Sequence, residues 1–71
     1  MLLNTQQVEK LLQGNYSFEN LSFSMFLMRM KMLYTKDSSL TTLQKCTQEI
    51  DTFLEKFKFT MNADNLVLQK L

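Results

Sequence analysis

The 71-residue chain has no proline, no histidine, no tryptophan, one glycine and one cysteine. Each absence removes a class of structure or chemistry. With proline missing and Gly14 the only glycine, the strongest helix breakers are almost gone, and the sequence predicts long helices with few interruptions. Without histidine, Ser-His and Cys-His nucleophile activation is out of reach, and so is the commonest metal ligand. Cys46, the single cysteine, cannot form an intrachain disulfide, and alone it cannot supply the three or four ligands of a zinc site. One glycine does not make a glycine-rich phosphate loop. No catalytic residue, metal or cofactor is expected, and hence no enzyme.

Charge of one sign is also missing. Eight Lys and Arg against seven Asp and Glu leave a net charge of +1, without the basic excess that phosphate-backbone binding draws on. Glu49 and Asp51 are close in sequence but diverge by about 200° on a helix, so they do not form a carboxylate pair, and Glu55 lies farther along. Long apolar runs are absent too. The longest, Met25 to Met28, falls far short of the roughly 18 to 20 residues that span a bilayer. The opening "MLLNTQQVEK" lacks the basic stretch and long apolar core of a signal peptide. A lone thiol suits a reducing compartment, so the expected location is cytoplasmic, with no membrane association.

What remains is a globular composition, 45% hydrophobic, arranged at helical spacing. Val8, Leu11 and Leu12 predict a first helix over about 5–13, with Asn4 or Thr5 as N-cap and Gly14 as a left-handed C-terminal residue. "GNYS" then reads as a turn, and a second helix is expected over 17–35, starting at Tyr16 or Ser17 with Glu19 near its positive end. After "TKDSS", where Asp37, Ser38 and Ser39 are all competent caps, Leu43, Cys46, Ile50, Phe53, Leu54 and Phe57 predict a one-faced amphipathic helix over 39–58. The segment 62–71 fits two structures. Phe57, Phe59 and Met61 alternate with polar residues ahead of "NADN", as in a hairpin, whereas Asn62 could also cap a helix carrying Leu66, Val67 and Leu71. The helix is preferred, because an isolated two-stranded hairpin is poorly stable.

The segment "FSMFLMRMKMLY", residues 23 to 34, holds four of the six methionines. On a helix, Phe23, Phe26, Leu27, Met30, Leu33 and Tyr34 form a broad apolar face. Leu21, Met25, Met28 and Met32 form a narrow stripe nearly opposite, at spacings of four, three and four. Seams containing Arg29 and Lys31 divide the two. The third helix can cover only the broad face, as the second arm of a helical hairpin. The stripe must then be closed by the first helix and the tail, giving a compact monomer, or be shared with a partner. Small size favours sharing. A domain of roughly 60 residues buries only about 60% of its chain surface, and such chains commonly need a disulfide, a metal or another subunit.

The expected fold is therefore all-α, a small single-domain bundle of three to four helices around a central hairpin of the second and third, with a short C-terminal hairpin as the alternative to a fourth helix. The expected function is non-catalytic: a small adaptor, inhibitor or regulator, self-associating or bound to another protein. It would dock through Leu21, Met25, Met28 and Met32, with Arg29 and Lys31 on the rim. Glu49, Asp51 and Glu55 are candidates to face those cations. The alternative is DNA binding. "NTQQVEKLLQGNYSFENL", residues 4–21, resembles the helix-turn-helix of small excisionase-type regulators. Its would-be recognition segment, Tyr16 to Leu21, carries Glu19 and no Lys or Arg, so contact with DNA would rest on Lys10 and Arg29.

Overall fold

The computed structural model describes residues 3–62 and 64–71. Three helices, α1 (Thr5–Gln13), α2 (Leu21–Lys36) and α3 (Leu40–Lys56), are followed by two short strands, β1 (Phe59–Met61) and β2 (Leu68–Lys70). Each helix starts where a side chain can satisfy its unpaired amides. Asn4 Oδ1 accepts from Gln7 N at 2.9 Å while Gln7 Oε1 accepts from Asn4 N at 2.9 Å, a reciprocal capping box. Asn20 Oδ1 accepts from Phe23 N at 2.8 Å, and Ser39 Oγ accepts from Thr42 N at 3.2 Å.

One start and one end revise the sequence reading. The helix expected from Ser17 begins only at Leu21. Residues 15–18 are non-helical, because Asn20 caps α2 and Phe18 turns in to meet Phe23 edge-on at 5.0 Å. Gly14 ends α1 with φ −89°, in the extended region, so it is not the left-handed residue expected there. What selects glycine is space: a Cβ at this position would lie 2.4 Å from the Tyr16 ring.

The tail also departs from the preferred reading. In place of a helix over 62–71, β1 and β2 pair antiparallel with Phe59 opposite Lys70, Thr60 opposite Gln69 and Met61 opposite Leu68. Residue 63 of that span lies outside the described residues. Asn62 Oδ1 accepts from Asp64 N at 2.9 Å and from Asn65 N at 3.3 Å, so an asparagine side chain builds the turn. The stability objection fails because the hairpin is not isolated. β1 packs on α3, with Met61 fully buried and Leu66 nearly so. Lys58 and Leu66 adopt left-handed backbone angles (φ 60° and 54°), at the exit from α3 and the entry to β2.

The core gathers one face from each element: Leu3, Val8, Leu11 and Leu12; Phe23, Leu27, Met30 and Tyr34; Leu43, Cys46, Ile50 and Leu54; Met61 and Leu66. α1 packs on both α2 and α3, so the three helices share one interior. The radius of gyration of 11.1 Å equals the value of about 11 Å expected for a compact chain of this length.

Candidate interaction surface

α2 presents two faces because its apolar residues follow two helical stripes. At about 100° per residue, Phe23, Leu27, Met30 and Tyr34 fall within an arc of roughly 60°, and Leu21, Met25, Met28 and Met32 within another nearly opposite. The first set is buried. The second lies on the outside, with exposures of 72% for Leu21, 60% for Met25, 64% for Met28 and 58% for Met32. α1 and α3 both pack on the inner face, and the hairpin sits against α3, so no described element covers the stripe.

The two cations expected on the rim have different environments. Arg29 is exposed, with its guanidinium carbon 5.9 Å from the centroid of the Phe26 ring. Lys31 is half-buried, and its Nζ donates to the Gly14 carbonyl oxygen at 2.8 Å. That bond ties α2 to the end of α1 and removes Lys31 from the set of free rim charges. Lys36, in the last turn of α2, is exposed and takes its place beside Arg29. Among the acids expected to face these cations, Asp51 Oδ1 instead accepts from Leu3 N at 3.0 Å and pins the start of the chain to α3.

Two residues of the predicted inner surfaces are only partly covered. Leu33, at the edge of the broad face, is 41% exposed, and Phe57, at the C-cap of α3, is 43% exposed. Phe57 still belongs to an aromatic series. Phe26 stacks on Phe53 at 4.8 Å, and Phe53 meets Phe57 at 4.6 Å and Phe23 at 5.4 Å. The series seals one side of the α2–α3 junction.

Three ionisable groups are shifted by their surroundings. The Tyr34 hydroxyl donates to Glu9 Oε2 at 2.5 Å, and this bond to a carboxylate raises the tyrosine above its ordinary value. Hydrogen bonds from Thr42 and Ser39 hold the Asp37 carboxyl below its usual range. Burial pushes the Cys46 thiol up, and the nearby Glu49 adds to the shift. Cys46 is fully buried in the apolar core, where it packs as a small hydrophobic side chain. Among the described residues, no three side chains of metal-ligating type converge, and no buried side-chain polar atom lacks a hydrogen-bond partner.

One open groove of about 580 Å³ runs between the α1–α2 linker and the hairpin, lined by Tyr16, Phe18, Phe59 and Leu66 among others. Among the described residues that line it, Glu19 alone is charged. The stripe was legible in the sequence from its spacing. The Lys31–Gly14 and Tyr34–Glu9 bonds were not, since they join residues 17 and 25 positions apart.

The chain matches no protein-family model, no curated protein and no solved structure.

Proposed function

We propose that the protein is a non-catalytic protein–protein interaction module, a small adaptor, inhibitor or regulator, that docks through the outer face of α2. One observation carries this reading: Leu21, Met25, Met28 and Met32 are all more than half exposed on a chain whose interior is already closed. Fully burying a side chain of this size contributes roughly 1.5 to 3 kcal/mol. Covering the rest of four such side chains would contribute several kcal/mol, comparable to the net stability of a small domain. Methionine suits the task, because its unbranched thioether adapts to irregular partner surfaces.

Two other classes receive less support. In the helix-turn-helix alternative a turn of about three to four residues joins the helices, whereas seven residues, 14–20, separate α1 from α2 here. The would-be recognition segment up to Asn20 lies outside both helices. For a membrane surface, Arg29 and Lys36 are too few, since electrostatic anchors use clusters of about four to eight cations. No helix among the described residues is long and apolar enough to cross a membrane. A reducing compartment, the cytoplasm in the simplest case, suits the single thiol.

The test is the double substitution Met25→Asp with Met28→Asp. Both side chains point outward, so the helical circular dichroism and the thermal midpoint should stay near those of the parent chain. Cross-links formed in cells through a photoreactive side chain at position 32 should disappear. Unfolding of the variant would show that the stripe is core, and unchanged cross-linking would show that docking occurs elsewhere.

A further inference from the structure

The stripe has a property that goes beyond exposure: its spacing reads the same in both directions. Leu21, Met25, Met28 and Met32 are separated by four, three and four residues, which is the alternation of a heptad seam. When two copies of α2 lie antiparallel about a two-fold axis between residues 26 and 27, Leu21 of each copy comes opposite Met32 of the other. Met25 likewise comes opposite Met28. A two-fold interface requires the same patch on both partners to be complementary to itself, and a palindromic spacing provides that on a single helix.

The flanking charges select between the two orientations. Ser22, Arg29 and Lys36 line one side of the seam, and Ser24 and Lys31 line the other. In a parallel pair the two sides face each other, bringing Lys36 of one copy towards Lys31 of the next, which keeps its positive charge although its Nζ is held by the Gly14 carbonyl, a like-charge approach that costs stability. In the antiparallel pair each side faces itself in reverse, and the residue of the other copy nearest Arg29 on its side is Ser22, two residues (about 3 Å) off level. α2 carries no acidic residue, so it has no internal partner for its own cations.

Eight more-than-half-exposed side chains, four from each copy, with the stems of Arg29 and Lys36, make a small patch, so even complete coverage stays near the roughly 1,000 Å² lower bound of a specific interface, as befits a weak pairing. We infer that the outer face of α2 pairs antiparallel with the same face of a second copy, forming a weak, reversible homodimer. This rests on the reading of the stripe as a docking surface, and names its occupant.

The register gives a direct test in the full chain. At 1.5 Å rise per residue, Leu21 and its symmetry mate lie roughly 16 Å apart along the antiparallel pair, beyond the 7 Å or so between Cα atoms that a disulfide tolerates. Leu21→Cys and Met32→Cys chains, each checked for parental helix content, are mixed under oxidising conditions. Mixed disulfide dimers are expected to exceed those of either variant alone by at least about tenfold, the equivalent of about 1.4 kcal/mol. Light scattering of the parent chain should show a mass that rises with concentration.

A Leu21→Cys chain that links efficiently to itself overturns the antiparallel register. A parent chain that stays monomeric to about 1 mM, where association is worth only about 4 kcal/mol, overturns the dimer. If position 32 then cross-links in cells to a different protein, or the monomer binds phosphatidylserine vesicles, the self-pairing falls. In the first of those cases the broader docking reading survives. With neither self-association nor any protein cross-link, both are lost.

Discussion

The Tyr34 hydroxyl and the Glu9 carboxylate meet at 2.5 Å, fastening α2 to α1 at the rim of the inner face. Because the bond favours the protonated phenol, the tyrosine pKa in the folded chain is raised above its unfolded value of about 10. Its stabilising contribution is therefore complete below about pH 10 and is lost as pH climbs through the raised value. Tyr34→Phe should lower the urea midpoint at pH 7, and the gap from the parent should narrow as the tyrosine ionises. A gap that is constant with pH would show that the hydroxyl is not linked to Glu9 in solution.

Asp37 behaves with the opposite sign. Its carboxylate accepts from the Thr42 hydroxyl at 2.6 Å and from Ser39 N at 3.2 Å, which depresses its pKa in the folded state. The associated stability is present above the unfolded value of about 3.9 and is lost as pH falls below it towards the folded value. Asp37→Asn should be less stable than the parent at pH 7 and should show a shallower acid limb. Equal slopes for the two proteins between pH 5 and 2 would refute the assignment.

Met28 and Met30 are two residues apart on opposite faces of α2, at 64% and 4% exposure. Met30→Ala should cost about 2 to 5 kcal/mol of unfolding free energy, the usual range for emptying a core site. Met28→Ala, on the outside, should stay within about 0.5 kcal/mol when measured in dilute solution. Similar losses at both positions would mean that the chain covers the stripe in a way the structure does not show.

Cys46 is fully buried, and its Sγ lies 3.9 Å from the Met30 carbonyl oxygen. Modification by a charged thiol reagent should require opening of the core, so the native rate should rise steeply with urea in step with loss of helix. Rapid modification of the folded chain would contradict this packing.

Lys58 holds a left-handed conformation, φ 60°, immediately beyond the C-cap of α3. This is the position where glycine commonly ends a helix, since an L side chain there costs about 1 to 2 kcal/mol. Lys58→Gly should raise stability by about 0.5 to 1 kcal/mol after the added freedom of the unfolded chain is subtracted. A lower thermal midpoint would show that the lysine side chain contributes more than its backbone angle costs.

The helical part of the fold was legible because periodicity and caps are local. Val8, Leu11 and Leu12 with Asn4 mark α1, and Ser39 opens the helix that buries Leu43, Cys46, Ile50 and Leu54. The two faces of α2 were readable for the same reason. The hairpin was legible only as the alternative to a fourth helix, because what decides for it is Met61 and Leu66 seating in a distant core, which alternation alone does not reveal. The start of α2 was missed since Ser17 and Asn20 are both competent caps, and only the packing of Phe18 decides between them. Lys31 read as a rim charge until the Gly14 carbonyl appeared beside it.

The interior contacts leave the outer side of α2 with no duty in holding the chain together. Substitutions at Leu21, Met25, Met28 and Met32 are accordingly filtered by whatever touches them and hardly at all by folding. Such a helix can drift toward a new associate, or away from an old one, while its reverse side keeps the same residues. The scaffold and the proposed docking surface are thus free to diversify at different speeds.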